Sequence, residues 1–129
     1  MQAAIIAVGS ELLTPFRTDS NSLFITAALN DLGITVAWKA IVGDRREDLS
    51  AAVGQAMAQV ELVVLTGGLG PTDDDVTREG VAEALGIGLE EDRSIFEQIR
   101  ARFAARGIEM PAINRRQAQV LQGAVALRN

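Results

Sequence analysis

Three short apolar runs, each followed at once by glycine, constrain the fold of this chain more than any other feature of its sequence. Nearly continuous apolar runs of this length, of which the second is interrupted by Lys39, are typical of β-strands buried in a parallel sheet. Stretches with helical periodicity lie between them, so the alternation predicts parallel βαβ units. The runs are AAIIAV at 3–8, TVAWKAIV at 35–42 and LVVLT at 62–66.

Four further stretches have apolar residues three and four positions apart, which predicts α-helices with one face toward a core. Gly33, Gly86 and Gly107 follow three of these stretches, and glycine is a typical helix-ending residue. The second stretch has the most regular apolar face. The predicted helices cover residues 20–32, 45–60, about 75–85 and about 92–106.

The sequence of the C-terminal part of the chain predicts one helical turn and, at 124–127, a last strand. A chain of 129 residues has the length of one domain, so we expect a single domain over 1–129. Its fold class is predicted to be α/β, with a mostly parallel sheet between two layers of helices. In open sheets of this kind, ligands bind at the carboxyl ends of the strands.

The residue composition limits the chemistry available at such a site. The chain has no cysteine and no histidine, which excludes disulfides, thiolate metal sites and a histidine general base. A bound metal would be held by oxygen ligands, which suits hard ions such as Mg²⁺ or Mn²⁺. A net charge of −5 without a basic stripe argues against nucleic acid as a partner. We also expect a cytoplasmic protein without a membrane partner, because neither a signal peptide nor a membrane span is recognisable.

The segment LTGGLGPTDDDVTRE at 65–79 concentrates glycines and aspartates directly after the third predicted strand. A glycine-rich turn between a buried strand and a helix directs backbone N–H groups into one concavity, where the helix dipole adds partial positive charge. Such a turn can hold a phosphate, but three adjacent aspartates would repel a bare phosphate. A divalent cation between the carboxylates and a pyrophosphate removes this conflict.

Structural roles explain some of the same residues. Asp44 with Glu47, and Thr72 with Asp75, have the spacing of a capping box. For Asp44 taken alone, capping is the favoured interpretation, and Asp19 is another candidate N-cap. The glycines could likewise be plain turn formers. Three adjacent aspartates exceed what one cap needs, so a binding role is favoured for them.

The motifs of this chain resemble those of the N-terminal domain of the CinA family (competence/damage-inducible protein CinA), within the MoaB/Mog-like molybdopterin-binding superfamily. The resemblance implies the MoaB/Mog-like fold. Leu69 stands where the wider superfamily has threonine, which indicates the CinA branch, and Ser10 stands where the family often has aspartate. The matching segments are VGSELL (8–13), DSNS (19–22), VGD (42–44), TGGLGPTDDDVTRE (66–79) and NRRQA (114–118).

The resemblance implies a metal-dependent nucleotide pyrophosphatase that splits ADP-ribose, or a similar pyrophosphate, with an ion of the Mg²⁺, Mn²⁺ or Co²⁺ class. One alternative is a molybdopterin-binding or adenylyltransferase domain of molybdenum cofactor biosynthesis. Another is a catalytically silent regulatory or oligomerisation module. The family also implies a homo-oligomer, dimer or trimer. Because the family usually continues further, we expect the chain to be truncated at its C-terminal end and to lack the C-terminal deamidase domain.

The residue chemistry and the resemblance together define a candidate site. Asp44 and Asp75 are the predicted catalytic residues, and with Asp74 they are the predicted metal ligands. Asp75 is expected to matter most, because it matches the aspartate that follows the glycine turn throughout the superfamily. Backbone N–H groups of the glycine turn would hold the pyrophosphate. The predicted substrate-binding residues are Ser10, Glu11, Asn21, Thr66, Gly67, Gly68, Gly70, Thr72 and Asn114.

Overall fold

A computed structural model describes residues 1–128 of the chain, and its centre is a three-stranded parallel sheet. The strands are β1 (Gln2–Val8), β2 (Thr35–Val42) and β3 (Leu62–Thr66). The sheet has the order β2–β1–β3, and β1 pairs in parallel with both neighbours. Two of the predicted strands have the bounds expected from the sequence, and the first is one residue longer.

Helices cover both faces of this sheet, as the sequence predicted for a three-layer α/β fold. The α-helices are α1 (Ser20–Asp31), α2 (Arg46–Met57), α3 (Thr77–Leu85) and α4 (Arg93–Ala104). Residues of α1 pack on one face of the sheet, and residues of α2 and α3 pack on the other. None of the helices in the described part of the chain has the length and apolar character needed to cross a lipid bilayer.

The core is centred on β1, in which every residue from Ala3 to Val8 is at most 2% exposed. Ala4, Ile6 and Val8 face α2 and α3, whereas Ala3 and Ile5 face α1. Full burial of one isoleucine side chain contributes about 1.5–3 kcal/mol relative to exposure. This central strand therefore holds the two helical layers at fixed positions and fixes where the loops at its carboxyl end lie.

A smaller lobe follows the sheet. It consists of α4, a 3₁₀ helix at Ala112–Ala118 and the antiparallel strands β4 (Leu89–Glu91) and β5 (Gln119–Leu121). The sequence did not predict β4 or β5, because three residues are too few to show a strand pattern.

The strand predicted at 124–127 is wrong, since the structure has no strand there. A turn ends the pairing of β5 before that segment: the N–H of Ala124 donates to the carbonyl of Leu121 at 3.0 Å, and Gly123 has φ +78°. Val125 and Leu127 are consequently 83% and 89% exposed, although their apolar character suggested a buried strand.

Candidate functional site

The carboxyl ends of β1 and β3 border a cleft. The chain leaves β1 toward α1 on one face and leaves β3 toward α3 on the other, which makes this a topological switch point, the usual ligand position in open α/β sheets. A cleft of about 230 Å³ lies there, which we call the switch-point cleft. Its lining includes Glu11, Arg17, Asn21, Thr66 and Gly67.

The glycine turn after β3 borders this cleft. Gly67 and Gly68 have φ values of +88° and +64°, a backbone conformation that favours glycine. The buried Thr77 holds the turn, since its hydroxyl donates to the Gly67 carbonyl at 2.7 Å and its N–H donates to the Gly68 carbonyl at 3.1 Å. A Cβ at Gly67 would collide with the Val8 carbonyl, and one at Gly68 would collide with the Thr77 hydroxyl. Contacts within the chain therefore require these glycines, independently of any ligand.

We call the segment between β3 and α3 the glycine-rich loop, and Asp75 holds the end of it that precedes α3. Its Oδ2 accepts hydrogen bonds from the backbone N–H and the hydroxyl of Thr72, at 2.9 and 2.7 Å. The hydroxyl bond is the main reason that the pKa of Asp75 is lowered. The predicted capping box of these two residues is wrong, because α3 begins at Thr77 with Val76 as its N-cap and no side-chain cap. The Asp75 carboxylate instead holds the turn that precedes the helix.

Asp44 links the ends of β1 and β2. Its Oδ1 accepts a hydrogen bond from the N–H of Ser10 at 3.2 Å, and its own N–H donates to the Ser10 hydroxyl at 3.0 Å. The capping interpretation of Asp44 is wrong, because α2 begins at Arg46 with Arg45 as its N-cap and no side-chain cap bond. For Asp19, capping is confirmed: its carboxylate accepts from the N–H of Ser22 at 3.1 Å in the first turn of α1.

The other predicted site residues are divided between two regions. The side-chain amide of Asn21 donates to the hydroxyl of Thr66 at 3.5 Å across the switch-point cleft. Asp74 is exposed in the turn after the glycines. Asn114 lies elsewhere, because its side chain donates to Gln117 at 3.0 Å and lines a different cavity. The structure thus brings most of the predicted residues to the carboxyl edge of the sheet, with Asn114 as the exception.

The predicted metal ligands do not form a preassembled cluster. Within residues 1–128, no three acidic side chains converge in a way that could hold a metal ion. Asp44 follows β2, whereas Asp74 and Asp75 follow β3, and β1 lies between these two strands. Mg²⁺ usually binds through one or two carboxylates together with substrate phosphates. These residues therefore fit a cation only if a phosphorylated ligand completes its coordination.

Two arginines hold the glycine-rich loop, and sequence reasoning did not assign either of them a role there. Arg116 donates to the Thr72 carbonyl at 2.9 Å and forms ion pairs with Asp73 and Glu79 at 3.1 and 3.0 Å. The Glu79 bond is the main reason that the pKa of Arg116 is raised. The signal for this contact was the NRRQA segment, which sequence reasoning used as a family motif.

Arg78 contacts the same loop from α3. Its guanidinium donates to the carbonyls of Leu69, Gly70 and Gln119, at 2.5, 3.4 and 3.1 Å. Burial lowers the pKa of Arg78. The side chain thereby joins the glycine turn to β5, and the loop is fixed from both of its sides.

Comparison with known proteins identifies the family and the fold of this chain. Residues 4–127 match the family model described as "Probable molybdopterin binding domain". A CinA-like protein of Acidobacterium capsulatum is 53% identical over the whole chain, which covers 31% of that relative. The crystal structure of CinA from Thermoplasma acidophilum, described as a protein of unknown function, is 30% identical with a TM-score of 0.86, over 94% of this chain and 71% of that one.

The molybdopterin biosynthesis enzyme MoaB of Thermus thermophilus has a TM-score of 0.62 with this chain. The alignment covers 88% of this chain and 70% of that one at 23% identity, so it shows a shared fold alone. The chain spans about a third of the length of the curated relatives it matches.

Proposed function

The chain belongs to the molybdopterin-binding domain family and, within it, to the CinA-like proteins, and from this premise we propose that it binds a phosphorylated nucleotide or pterin in the switch-point cleft. One observation carries the proposal: the turn at Gly67 and Gly68 follows β3 where the chain leaves β1 and β3 toward opposite faces of the sheet, beside a polar cleft. Ligands of open α/β sheets bind at this position.

The cleft residues supply groups suited to such a ligand. Arg17 brings a positive charge to the lining, which also contains the carboxylates of Glu11 and of Asp19, the N-cap of α1. Asn21 and Thr66 offer an amide and a hydroxyl for hydrogen bonds to phosphate or ribose oxygens. The carboxylate of Glu11 can accept from ribose hydroxyls.

We further propose that the ligand is a pyrophosphate such as ADP-ribose and that it is hydrolysed to AMP and ribose 5-phosphate. Asp44, Asp74 and Asp75 are the residues that would hold a divalent cation. When bound, such an ion activates water and neutralises charge on the phosphates. Ser10 bonds Asp44 after β2 and Thr72 bonds Asp75 after β3, with β1 between them, so a phosphorylated ligand would have to complete the coordination of the cation.

The hydrolysis is tested by incubating the chain with ADP-ribose and Mg²⁺, Mn²⁺ or Co²⁺ and measuring AMP. We expect AMP to form with at least one of these ions and to be absent in EDTA. AMP formation that is undiminished in EDTA would contradict a metal-dependent reaction. Absence of AMP with every ion would contradict hydrolysis, while calorimetric titration of ADP-ribose would still report on binding.

A second candidate function is molybdopterin binding, which the description of the matching family model favours. The same cleft would then hold a pterin phosphate. Titration with molybdopterin and with ADP-ribose under the same conditions separates the two ligands. If neither ligand binds, a regulatory or oligomerisation module is the better description. The family resemblance also leads us to propose a homo-oligomer, which sedimentation analysis would test.

A further inference from the structure

A second cavity, of about 740 Å³, lies between α3, α4, the 3₁₀ helix at Ala112–Ala118 and residues 126–128. None of its lining residues lines the switch-point cleft. We call it the arginine cavity, because four arginines line it. They are Arg78, Arg102, Arg106 and Arg128.

The arginine cavity has an excess of positive charge. Asp92 is the one carboxylate in its lining, and its Oδ1 accepts the N-capping hydrogen bond from Ile95 at 2.9 Å. Within residues 1–128, Arg102, Arg106 and Arg128 form no salt bridge. Four cations thus face one carboxylate in a chain whose net charge is −5. An anionic ligand would be attracted to this position.

Three apolar side chains of α4 form part of the lining of the arginine cavity, and we call this part its apolar floor. Ile95, Ile99 and Phe103 lie four residues apart on α4, so they form one stripe along the helix. All three line the cavity, and no residue of α4 is fully buried. The stripe is therefore turned toward the cavity without being sealed into the core. An apolar floor beside arginines suits a ligand with both a flat apolar part and an anionic part.

We propose that the arginine cavity is a second binding site, for a small anionic ligand with a flat apolar part, of the nucleoside monophosphate class. Its phosphate lies among Arg102, Arg106 and Arg128, and its base packs against Ile99 and Phe103. The guanidinium of Arg78 already donates to three carbonyls, so it contributes charge and not hydrogen bonds. This binding requires no metal ion and does not rest on the function proposed for the switch-point cleft.

The test is a calorimetric titration of the chain with AMP in the presence of EDTA. Replacing two of the three exposed arginines, in an Arg102→Gln/Arg106→Gln variant, should weaken AMP binding about tenfold or more, since hydrogen bonds to charged groups contribute about 1.5–3 kcal/mol each. Arg45→Gln is the matched control, because Arg45 is an exposed arginine outside the cavity. Its affinity for AMP should equal that of the native chain. Inorganic phosphate should bind more weakly than AMP, because it lacks a base to pack on the apolar floor.

Three results would overturn the proposal. The first is equal AMP affinity in the native chain and the double arginine variant. The second is an equal loss in the Arg45→Gln control, which would indicate unspecific attraction. The third is a loss in an Asn21→Ala/Thr66→Ala variant alone, which would place AMP in the switch-point cleft. If the chain binds AMP through its arginines but forms no AMP from ADP-ribose, the proposed hydrolysis is contradicted and the proposed second binding site is supported.

Discussion

The carboxylate of Asp75 binds Thr72 twice through one oxygen, accepting from its backbone N–H and from its hydroxyl at 2.9 and 2.7 Å. The bonds close the turn that carries the three aspartates, just before α3 begins at Thr77. Hydrogen bonds to an ionised group are stronger than neutral ones. Asp75 therefore shapes the loop in which we propose that it also holds a cation.

The pH dependence of stability should reveal these bonds. Because the folded-state pKa of Asp75 is lowered, its contribution is complete above its unfolded pKa of about 3.9 and is lost as the pH falls through the folded value. Urea unfolding across this range should show a smaller loss of stability in Thr72→Val, which lacks the hydroxyl bond. Thr72→Ser keeps the hydroxyl and should behave like the native chain. Identical pH profiles for Thr72→Val and the native chain would contradict this assignment.

Substitution of Gly68 should test whether packing within the chain selects glycine in the turn. Gly68→Ala meets both a positive φ and a collision with Thr77, whereas Gly33→Ala has φ +76° but nothing within 4 Å of the new Cβ. The backbone conformation alone costs about 1–2 kcal/mol for a residue with a side chain. We expect Gly33→Ala to lose about this much and Gly68→Ala to lose more, as measured by urea unfolding. Equal losses would show that the Thr77 contact is unimportant.

Asp44→Asn should separate ligand chemistry from structure. Asparagine keeps the shape of the side chain and an oxygen that can accept from the N–H of Ser10, so the change in stability should stay below about 1 kcal/mol. If Asp44 holds a cation, metal-dependent AMP formation should fall about a hundredfold or more. Asp48→Asn, an exposed carboxylate on α2, serves as the control and should keep its activity. Full turnover in Asp44→Asn would remove this residue from the metal site.

Arg116 should contribute more to stability than an arginine in an exposed ion pair. Its bond to Glu79 is partly shielded from water, and it also bonds the Thr72 carbonyl, so Arg116→Gln should cost about 1–3 kcal/mol. Arg100→Gln breaks the exposed pair with Glu97 and should cost less than about 1 kcal/mol. Thermal unfolding of the two variants provides the comparison. A smaller loss in Arg116→Gln than in Arg100→Gln would contradict a role of Arg116 in fixing the loop.

The parts of the fold that the sequence predicts are those determined by local patterns. The apolar runs of the central sheet are long enough to be recognised, and Asp19 caps α1 because its partner Ser22 is three residues away. β4 and β5 were missed because each contains only three residues. The role of Asp44 depends on Ser10, 34 positions away, and no local spacing reports such a contact. Arg116 lies 44 and 37 positions from its partners Thr72 and Glu79, which explains why it was not assigned to the loop.

Because the glycine turn is tightly packed within the chain, the presence of its two glycines in a related chain does not by itself indicate ligand binding. Because the Val8 carbonyl and the Thr77 hydroxyl exclude a side chain at Gly67 and Gly68, natural selection for a stable fold is enough to retain both glycines. A descendant that had lost its ligand would keep them unchanged. Asp74, which is exposed, is under no comparable packing constraint and would be free to drift. If Asp74 holds the proposed cation, its presence would therefore distinguish active from inactive copies of this domain better than the glycines would.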